Sequence, residues 1–150
     1  MVGAGDITEC NSNGDELTAA LVDSIMKADS VAGVEDMVFT LGDNAYPNGS
    51  ERDFARCWGA SWGDTAKRIM KRIRPTPGNH EHNTDWAAPY YKYFGEVAGS
   101  PRQGYYAYDV GEWRVIALNS VIAVNSDATP EDKKAQEDWL AKELEGSDKL

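Results

Sequence analysis

The sequence has little of several features that would each point to a particular class of protein. Its 15 basic residues stand against 25 acidic ones, and the formal net charge of −10 disfavours binding to nucleic acid or to anionic membranes through a broad basic face. No apolar run approaches the roughly 18 residues of a membrane span. The first residues lack the basic and apolar stretches of a signal peptide, so we expect none there and leave cellular location and oligomeric state open.

Cysteine and histidine are both scarce, with two residues of each. Cys10 and Cys57 could form a disulfide between an early loop and a later one, or they could be separate buried thiols. The sequence also has no repeat, linker or low-complexity segment, so residues 1–150 are expected to form one domain. Hydrophobic residues nevertheless make up 41% of the chain, which is enough for a globular domain with a sizeable core.

The first third of the chain predicts a strand–helix–strand unit. A short apolar strand, Met1–Ala4, runs into Gly5-Asp6 and a polar loop. Asp15 can cap a following helix, in which apolar residues share one face at helical spacing. The run Met37–Leu41, closed by Gly42-Asp43, predicts a buried strand, so both aspartates would follow strand ends. The expected apolar face consists of Leu17, Ala20, Leu21, Ile25 and Ala28.

The remainder of the chain predicts further α/β structure. A helix is expected around residues 64–71 and a weak strand is centred on Ile73. Segments 105–110 and 113–119 are expected to be the two strands of a hairpin. Thr129 precedes a proline and two acidic residues, which is a typical signal for the start of a last helix. The apolar stripe of that helix would consist of Trp139, Leu140 and Leu144.

Three loops, each following a predicted strand, carry the residues that point to chemistry. In open α/β sheets such loops converge at the carboxyl ends of the strands, and a glycine before each polar residue lets the backbone approach a bound ion. Carboxylate and amide oxygens suit Mn, Mg, Fe(III) or Zn, and a tyrosine phenolate particularly suits Fe(III). The loops are Gly5-Asp6, Gly42-Asp43-Asn44-Ala45-Tyr46 and Gly78-Asn79-His80-Glu81.

Taken singly, these motifs differ in specificity. Gly-Asp is an ordinary turn dipeptide, so Asp6 alone would be interpreted as a solvated turn residue, and His80 alone as a surface histidine. The ordered set is more informative, because each spacing accommodates the strand, helix and loop of a βαβ repeat. The set predicts that Asp6, Asp43, Tyr46, Asn79 and His80 meet at one place.

The ordered set resembles the first three motifs of calcineurin-like metallophosphoesterases, and Tyr46, three residues after Asp43, resembles the purple-acid-phosphatase variant. Flanking segments agree, among them Arg74-Pro75-Thr76-Pro77 before the third loop and Tyr93-Phe94-Gly95 after it. The resemblance implies a layered α/β sandwich of βαβ units with mixed sheets. It also implies that residues 1–150 are the N-terminal part of such a domain, with its C-terminal portion absent.

By that resemblance, four residues would bind two metal ions. Asp6 would bind the first ion, Asp43 would bridge both ions, and Tyr46 would coordinate the first ion as a phenolate. Asn79 would bind the second ion through its side-chain oxygen. The implied cofactors are Fe with Zn, Mn or a second Fe as its partner.

The same resemblance implies the reaction and the roles of two further residues. His80 would lie over the site and contact the substrate phosphate or assist the leaving group, without being a ligand. Glu81 would orient His80, although a solvated glutamate is an alternative. The reaction would be hydrolysis of small phosphate monoesters, with diesters as a further substrate class, by attack of a metal-bound hydroxide.

Two departures from the family pattern matter. Many relatives carry a histidine two residues after the first aspartate, where this sequence has Thr8; purple-type relatives also lack it and use the tyrosine instead. The family further supplies a later lone histidine and a Gly-His-x-His motif, whereas this sequence has only His80 and His82. The chain is therefore expected to be an incomplete catalytic domain with little activity of its own. The alternative is a non-catalytic metal-binding or interaction domain that has degenerated from this family.

Overall fold

One parallel and one antiparallel sheet organise the computed structural model, which describes residues 1–34, 36–64, 66–124 and 128–149. This mixed α/β architecture agrees with the predicted fold class. None of the helices in the described part is long and apolar enough to cross a membrane. In chain order the elements are β1 (Val2–Ala4), α1 (Gly14–Val31), β2 (Val38–Thr40), α2 (Glu51–Arg56), α3 (Ile69–Arg72), β3 (Ile73–Arg74), α4 (Ala88–Phe94), β4 (Tyr106–Val110), β5 (Trp113–Ala117), α5 (Ser120–Val124) and α6 (Pro130–Glu145).

The parallel sheet has the strand order β1-β2-β3. Val38 of β2 pairs with Val2 of β1 on one side and with Ile73 of β3 on the other. This arrangement confirms the three strands predicted from the sequence. Because the strands are parallel, they end at the same edge of the sheet, and the three polar loops begin there.

Helix α1 buries a different face from the one that its sequence predicts. Leu17 and Leu21, which were expected on the apolar face, are 65% and 59% exposed. The core side of the helix carries Ala19, Val22 and Met26 instead. The remaining members of the predicted face, Ala20, Ile25 and Ala28, are exposed as well.

Two tertiary contacts fix the rotation of α1. The indole Nε1 of Trp62 donates a hydrogen bond of 3.1 Å to Oγ1 of Thr18, and the backbone N–H of Arg68 donates one of 2.7 Å to Oδ1 of Asp23. Both contacts hold the face of α1 that carries Ala19 against the core. Helical periodicity could not distinguish the two apolar faces, because each has the same spacing.

The start of α1 also differs from the prediction. Asn13 occupies the capping position and makes no side-chain capping hydrogen bond. Asp15 lies in the first turn and is buried. Acidic residues are favoured in the first turn of a helix by the amino-terminal end of the helix dipole, which does not require a capping hydrogen bond.

The helix expected over residues 64–71 is much shorter and later in the structure, since α3 covers only Ile69–Arg72. Oδ1 of Asp64 accepts a hydrogen bond of 2.9 Å from the backbone N–H of Ala66, and Oδ2 pairs with Lys67. A side chain that bonds its own neighbouring backbone in this way competes with helix formation. Residue 65 lies outside the described residues.

The predicted hairpin is confirmed, with β4 and β5 antiparallel and Tyr106 opposite Ala117. β5 ends before Asn119, which was expected to be its last residue. Asn119 is buried, and its Oδ1 accepts a hydrogen bond from the backbone N–H of Val121 at the start of α5. That side-chain contact turns the chain away from the sheet.

The start of α6 agrees with the prediction, because Thr129 and Asp132 form a reciprocal capping box. The predicted apolar stripe is only partly used. Trp139 packs on Tyr105 with ring centroids 4.9 Å apart, whereas Leu144 is largely exposed. Leu140, the third residue of the stripe, is half-buried.

Aromatic side chains fill the main core, where Phe54, Trp58, Tyr90 and Phe94 pack against one another. The question left open for the cysteines has a definite outcome in the structure, since Cys10 and Cys57 form a disulfide. The bond joins the loop that follows β1 to the end of α2. It therefore ties the first polar loop to the segment that follows the second.

Candidate metal centre

The loops that follow β1 and β2 run side by side beyond the sheet. The backbone N–H of Asp6 donates to the carbonyl of Gly42 over 3.3 Å, and that of Ile7 donates to the carbonyl of Asp43 over 2.9 Å. These bonds extend the parallel pairing past the strand ends. They keep Asp6 and Asp43 next to each other at the carboxyl edge of the sheet.

Thr8 holds the same two loops together. Its N–H and its hydroxyl both donate to the carbonyl of Asn44, the hydroxyl over 2.7 Å, and its own carbonyl accepts from the N–H of Tyr46 over 2.9 Å. The side chain is fully buried. The residue that stands where many relatives have a histidine therefore has a structural contact and supplies no nitrogen donor.

Three side-chain oxygen groups meet at this edge. The hydroxyl of Tyr46 donates a hydrogen bond of 2.5 Å to Oδ1 of Asp6 and lies 3.3 Å from Oδ2 of Asp43. The hydrogen bond to Asp6, burial and the negative charge of Asp43 raise the pKa of Tyr46 well above its usual range. The phenol therefore donates its proton to the Asp6 carboxylate, with the Asp43 carboxylate next to it.

Both aspartates have left-handed backbone conformations, with φ of 52° for Asp6 and 50° for Asp43. Residues other than glycine adopt this region at an energetic cost, and aspartate is among those that tolerate it best. Such conformations cluster at functional sites, where the surrounding structure imposes them. Here the paired loop backbones impose them.

The third loop passes close over the second because glycines face each other. A Cβ atom added to Gly42 would lie 2.7 Å from the Cα of Gly78, and one added to Gly78 would overlap the carboxylate and the N–H of Asp43. The backbone N–H of His80 donates 3.0 Å to Oδ1 of Asp43. The two oxygens of Asp43 therefore face different neighbours, one the third loop and the other Tyr46.

Asn79 lies beside this cluster and does not enter it. It is exposed and, with Asp43, lines an open cavity of about 360 Å³ between the parallel sheet and the β4–β5 hairpin. Among the described residues its side chain makes no hydrogen bond to Asp6, Asp43 or Tyr46. The structure thus brings three of the four predicted ligands into contact and leaves the fourth at the rim.

His80 is held by residues other than the one predicted from the sequence. Its Nδ1 lies 2.6 Å from the carbonyl of Pro47, and its ring centroid is 4.3 Å from that of Tyr46. Because a carbonyl can only accept, this contact places a proton on Nδ1 and leaves Nε2 for other partners. No sequence signal marks this contact, since the acceptor is a backbone carbonyl.

Glu81 neither contacts His80 through its carboxylate nor lies in solvent, which were the two environments predicted for it. It is 0% exposed, which contradicts a solvated glutamate, and its carboxylate bonds the loops and not His80. Oε1 accepts from the N–H groups of Asn44 (2.9 Å) and Ala45 (3.1 Å), and Oε2 accepts from the N–H of Gly78 (2.8 Å) and from Nδ2 of Asn44 (3.2 Å). Burial raises the pKa of Glu81, and these hydrogen bonds oppose that rise.

The donor set at this edge fits a hard cation. Asp6, Asp43 and Tyr46 offer oxygen atoms only, two of the groups are carboxylates, and a cation would displace the phenolic proton. Within residues 1–34, 36–64, 66–124 and 128–149, no cluster of three or more His, Cys, Asp or Glu side chains forms. The site as described therefore offers carboxylate, phenol and amide donors, without the histidine ligands that the family resemblance implies.

A family model described as calcineurin-like phosphoesterase matches residues 3–148, which is nearly the whole chain. A search of curated proteins found no match.

Proposed function

The chain belongs to the calcineurin-like phosphoesterase family, and we propose that it hydrolyses phosphate monoesters at a two-metal centre of purple-acid-phosphatase type. Membership of the family implies a metal-dependent phosphoesterase in general terms. The observation that supports the more specific assignment is the position of the Tyr46 hydroxyl, between the carboxylates of Asp6 and Asp43. A phenol placed in this way is a donor that suits Fe(III).

We assign the ligands by their places around this centre. Asp6 and Tyr46 would hold one ion, Asp43 would contact both ions because its oxygens face different neighbours, and Asn79 would contribute to the second. When bound, two such ions supply Lewis-acid activation of water and neutralise the charge that develops on phosphate. The protein then mainly holds the substrate in the orientation that the attacking water requires.

His80 is the group that would act on the substrate directly. The carbonyl of Pro47 holds Nδ1–H, so the free nitrogen of the ring is Nε2. When His80 is protonated, Nε2–H can donate to a phosphate oxygen or to the departing alcohol oxygen. Contact with the Tyr46 ring fixes the plane of the imidazole beside the donor cluster.

The second candidate function is a metal-binding or interaction domain without catalysis. It is favoured by one observation, that the described residues bring together two carboxylates and a phenol but no histidine ligand. Such a domain would bind a cation at the same edge and would not turn over a phosphate ester.

The experiment that separates the two candidates measures hydrolysis of 4-nitrophenyl phosphate with Mn²⁺, Zn²⁺ or Fe³⁺ added. Asp43→Ala removes the shared donor, and Asp138→Ala on the exposed side of α6 is the matched control. Metal-dependent turnover that only Asp43→Ala abolishes supports the phosphoesterase. Metal binding that Asp43→Ala abolishes, without any turnover in the unaltered chain, supports the non-catalytic domain.

A further inference from the structure

Helix α1 carries a second apolar face, opposite the one that packs on the core. Leu17 and Leu21 of this outer face are 65% and 59% exposed, and Val31 at the end of the helix is 84% exposed. Contiguous apolar surface of this kind on a soluble protein marks a place where another molecule binds. The row along the middle of the face consists of Leu17, Leu21, Ser24, Ala28 and Val31, all of them exposed.

The spacing of this row indicates that its partner is another helix. Its members recur at alternating intervals of four and three residues, which is the pattern by which two helices pack along a common seam. Ser24 leaves no unmet donor in the seam, because its hydroxyl donates to the backbone carbonyl of Leu21 over 2.7 Å. From Leu17 to Val31 the seam is about 21 Å long.

The row is complementary to a second copy of itself in the antiparallel orientation. Around one two-fold axis, Leu17 would face Ala28 of the second copy and Leu21 would face Ser24 of the second copy. A single axis serves both layers, because the midpoints of the two pairs along the helix coincide. Each layer then joins a large side chain to a small one, so the two helices can approach closely without overpacking.

The charges beside the seam agree with the same axis. Glu16 and Lys27 are about three helical turns apart, so they lie on the same flank of the seam. Both are exposed, and neither forms an ion pair within the described chain. Equal flanks meet in a two-fold antiparallel pair, so Glu16 of each copy would face Lys27 of the other. Asp23, on that flank near the axis, is already paired with Arg68 over 3.3 Å.

We propose that the outer face of α1 joins two copies of this chain in a symmetric antiparallel helix pair. The interface is isologous, since the same face of both copies forms it. Because the contact is only one helix wide, it belongs with the small and weak protein interfaces, and we expect a Kd of about 10–100 µM. The pairing uses none of the residues at the candidate metal centre, so it does not depend on the proposed function.

Sedimentation equilibrium of the full chain, over concentrations from about 5 to 500 µM, measures the pairing. Leu21→Glu should raise the Kd by about tenfold or more, because it places a carboxylate in the seam next to the two-fold axis. Leu144→Glu, at a residue of α6 that is 62% exposed, is the matched control and should dimerise as the unaltered chain does. Circular dichroism checks that both variants are folded. A chain that stays monomeric throughout leaves the face to a different partner and overturns the proposal, as does unaltered dimerisation of Leu21→Glu.

Charge reversal then tests the antiparallel orientation. Lys27→Glu and Glu16→Lys should each raise the Kd by about threefold or more, since either change turns two attractive pairs into repulsive ones. The effect of Glu16→Lys is the more informative, because that change lowers the net negative charge and would otherwise favour association. The double variant should regain the original Kd, whereas Lys71→Glu on the exposed side of α3 should leave it unchanged. A double variant that dimerises no better than the single ones overturns the antiparallel pairing.

Discussion

The hydroxyl of Tyr46 lies 2.5 Å from Oδ1 of Asp6, although 40 residues separate them in sequence. The contact exists because the loops after β1 and β2 continue the parallel pairing of their strands beyond the sheet. In the proposed centre, the phenol oxygen and this carboxylate oxygen would bind the same cation. The proposed purple-type centre depends on this relationship more than on any other in the structure.

Replacing Tyr46 by Phe should remove the visible absorption of protein loaded with Fe(III). The absorption would arise from phenolate-to-iron charge transfer, which requires the Tyr46 oxygen. Absorption spectra of the loaded variant and of Tyr108→Phe, a control outside the centre, provide the measurement. If Tyr46→Phe still binds iron and keeps the visible absorption, the purple-type assignment is wrong, while a generic two-metal site stands.

Replacing Glu81 by Gln should weaken both the fold and the metal site. The amide would put donors where Oε2 now accepts from Gly78 and Asn44, so we expect a loss of about 1–3 kcal/mol in the free energy of unfolding. Metal affinity should fall by about 10–100-fold, because Glu81 orients the loops that carry the ligands. Denaturant unfolding and metal titration measure the two effects.

The exposed Glu96 provides the control for that substitution, since Glu96→Gln should change neither quantity. Unaltered metal affinity in Glu81→Gln, at a temperature where the variant is folded, would contradict the role given to Glu81 in arranging the centre. If Glu81→Gln lowers stability but not metal affinity, Glu81 has a structural role only.

Gly78→Ala should be destabilising by about 1–3 kcal/mol, as for other overpacked sites. The added methyl would overlap the carboxylate and N–H of Asp43, so metal affinity should fall as well. Gly14→Ala is the matched control, because its added Cβ would meet only Oγ of Ser12 at 3.8 Å in the first turn of α1. Thermal unfolding that ranks Gly14→Ala as the more harmful change would contradict the loop packing described above.

The stability of the chain should fall on acidification below about pH 6.5, partly through His82. Burial lowers the pKa of His82, and its Nε2 is enclosed without a partner among the described residues. A lowered folded-state pKa means that the unfolded chain binds the proton more readily, so this stabilisation is present above the unfolded pKa and is lost as pH falls through the folded one. Unfolding curves from pH 5 to 8 should show a shallower acid decline for His82→Phe.

The described donors also predict slow catalysis by the 150-residue chain. Without nitrogen ligands the ions would be held largely by water, so their affinity should be low. We expect kcat for 4-nitrophenyl phosphate below about 1 s⁻¹, the low end of the range for enzymes. Steady-state kinetics with saturating Mn²⁺ or Zn²⁺ measure this, and a kcat of about 10 s⁻¹ that Asp43→Ala abolishes would show that histidine ligands are dispensable.

Much of the framework could be predicted from the sequence because its signals are local. Apolar runs closed by glycine and a polar residue predicted β1 and β2, and the capping pattern at Thr129 predicted the start of α6. The three polar loops were predicted to meet because parallel strands end at one edge. That prediction holds in the structure for Asp6, Asp43 and Tyr46, with Asn79 at the rim.

The sequence by itself therefore determined the order of the strands and loops, which depends on spacing, turn residues and apolar runs. Only the tertiary structure decided which face of α1 is buried. The two apolar faces have the same periodicity, and the hydrogen bonds from Trp62 and Arg68 hold one of them against the core. It also decided that Glu81 joins two loops, since a buried carboxylate takes whichever N–H groups the folded chain brings to it. Contacts of this kind join residues that are distant along the chain, and local pattern carries no information about them.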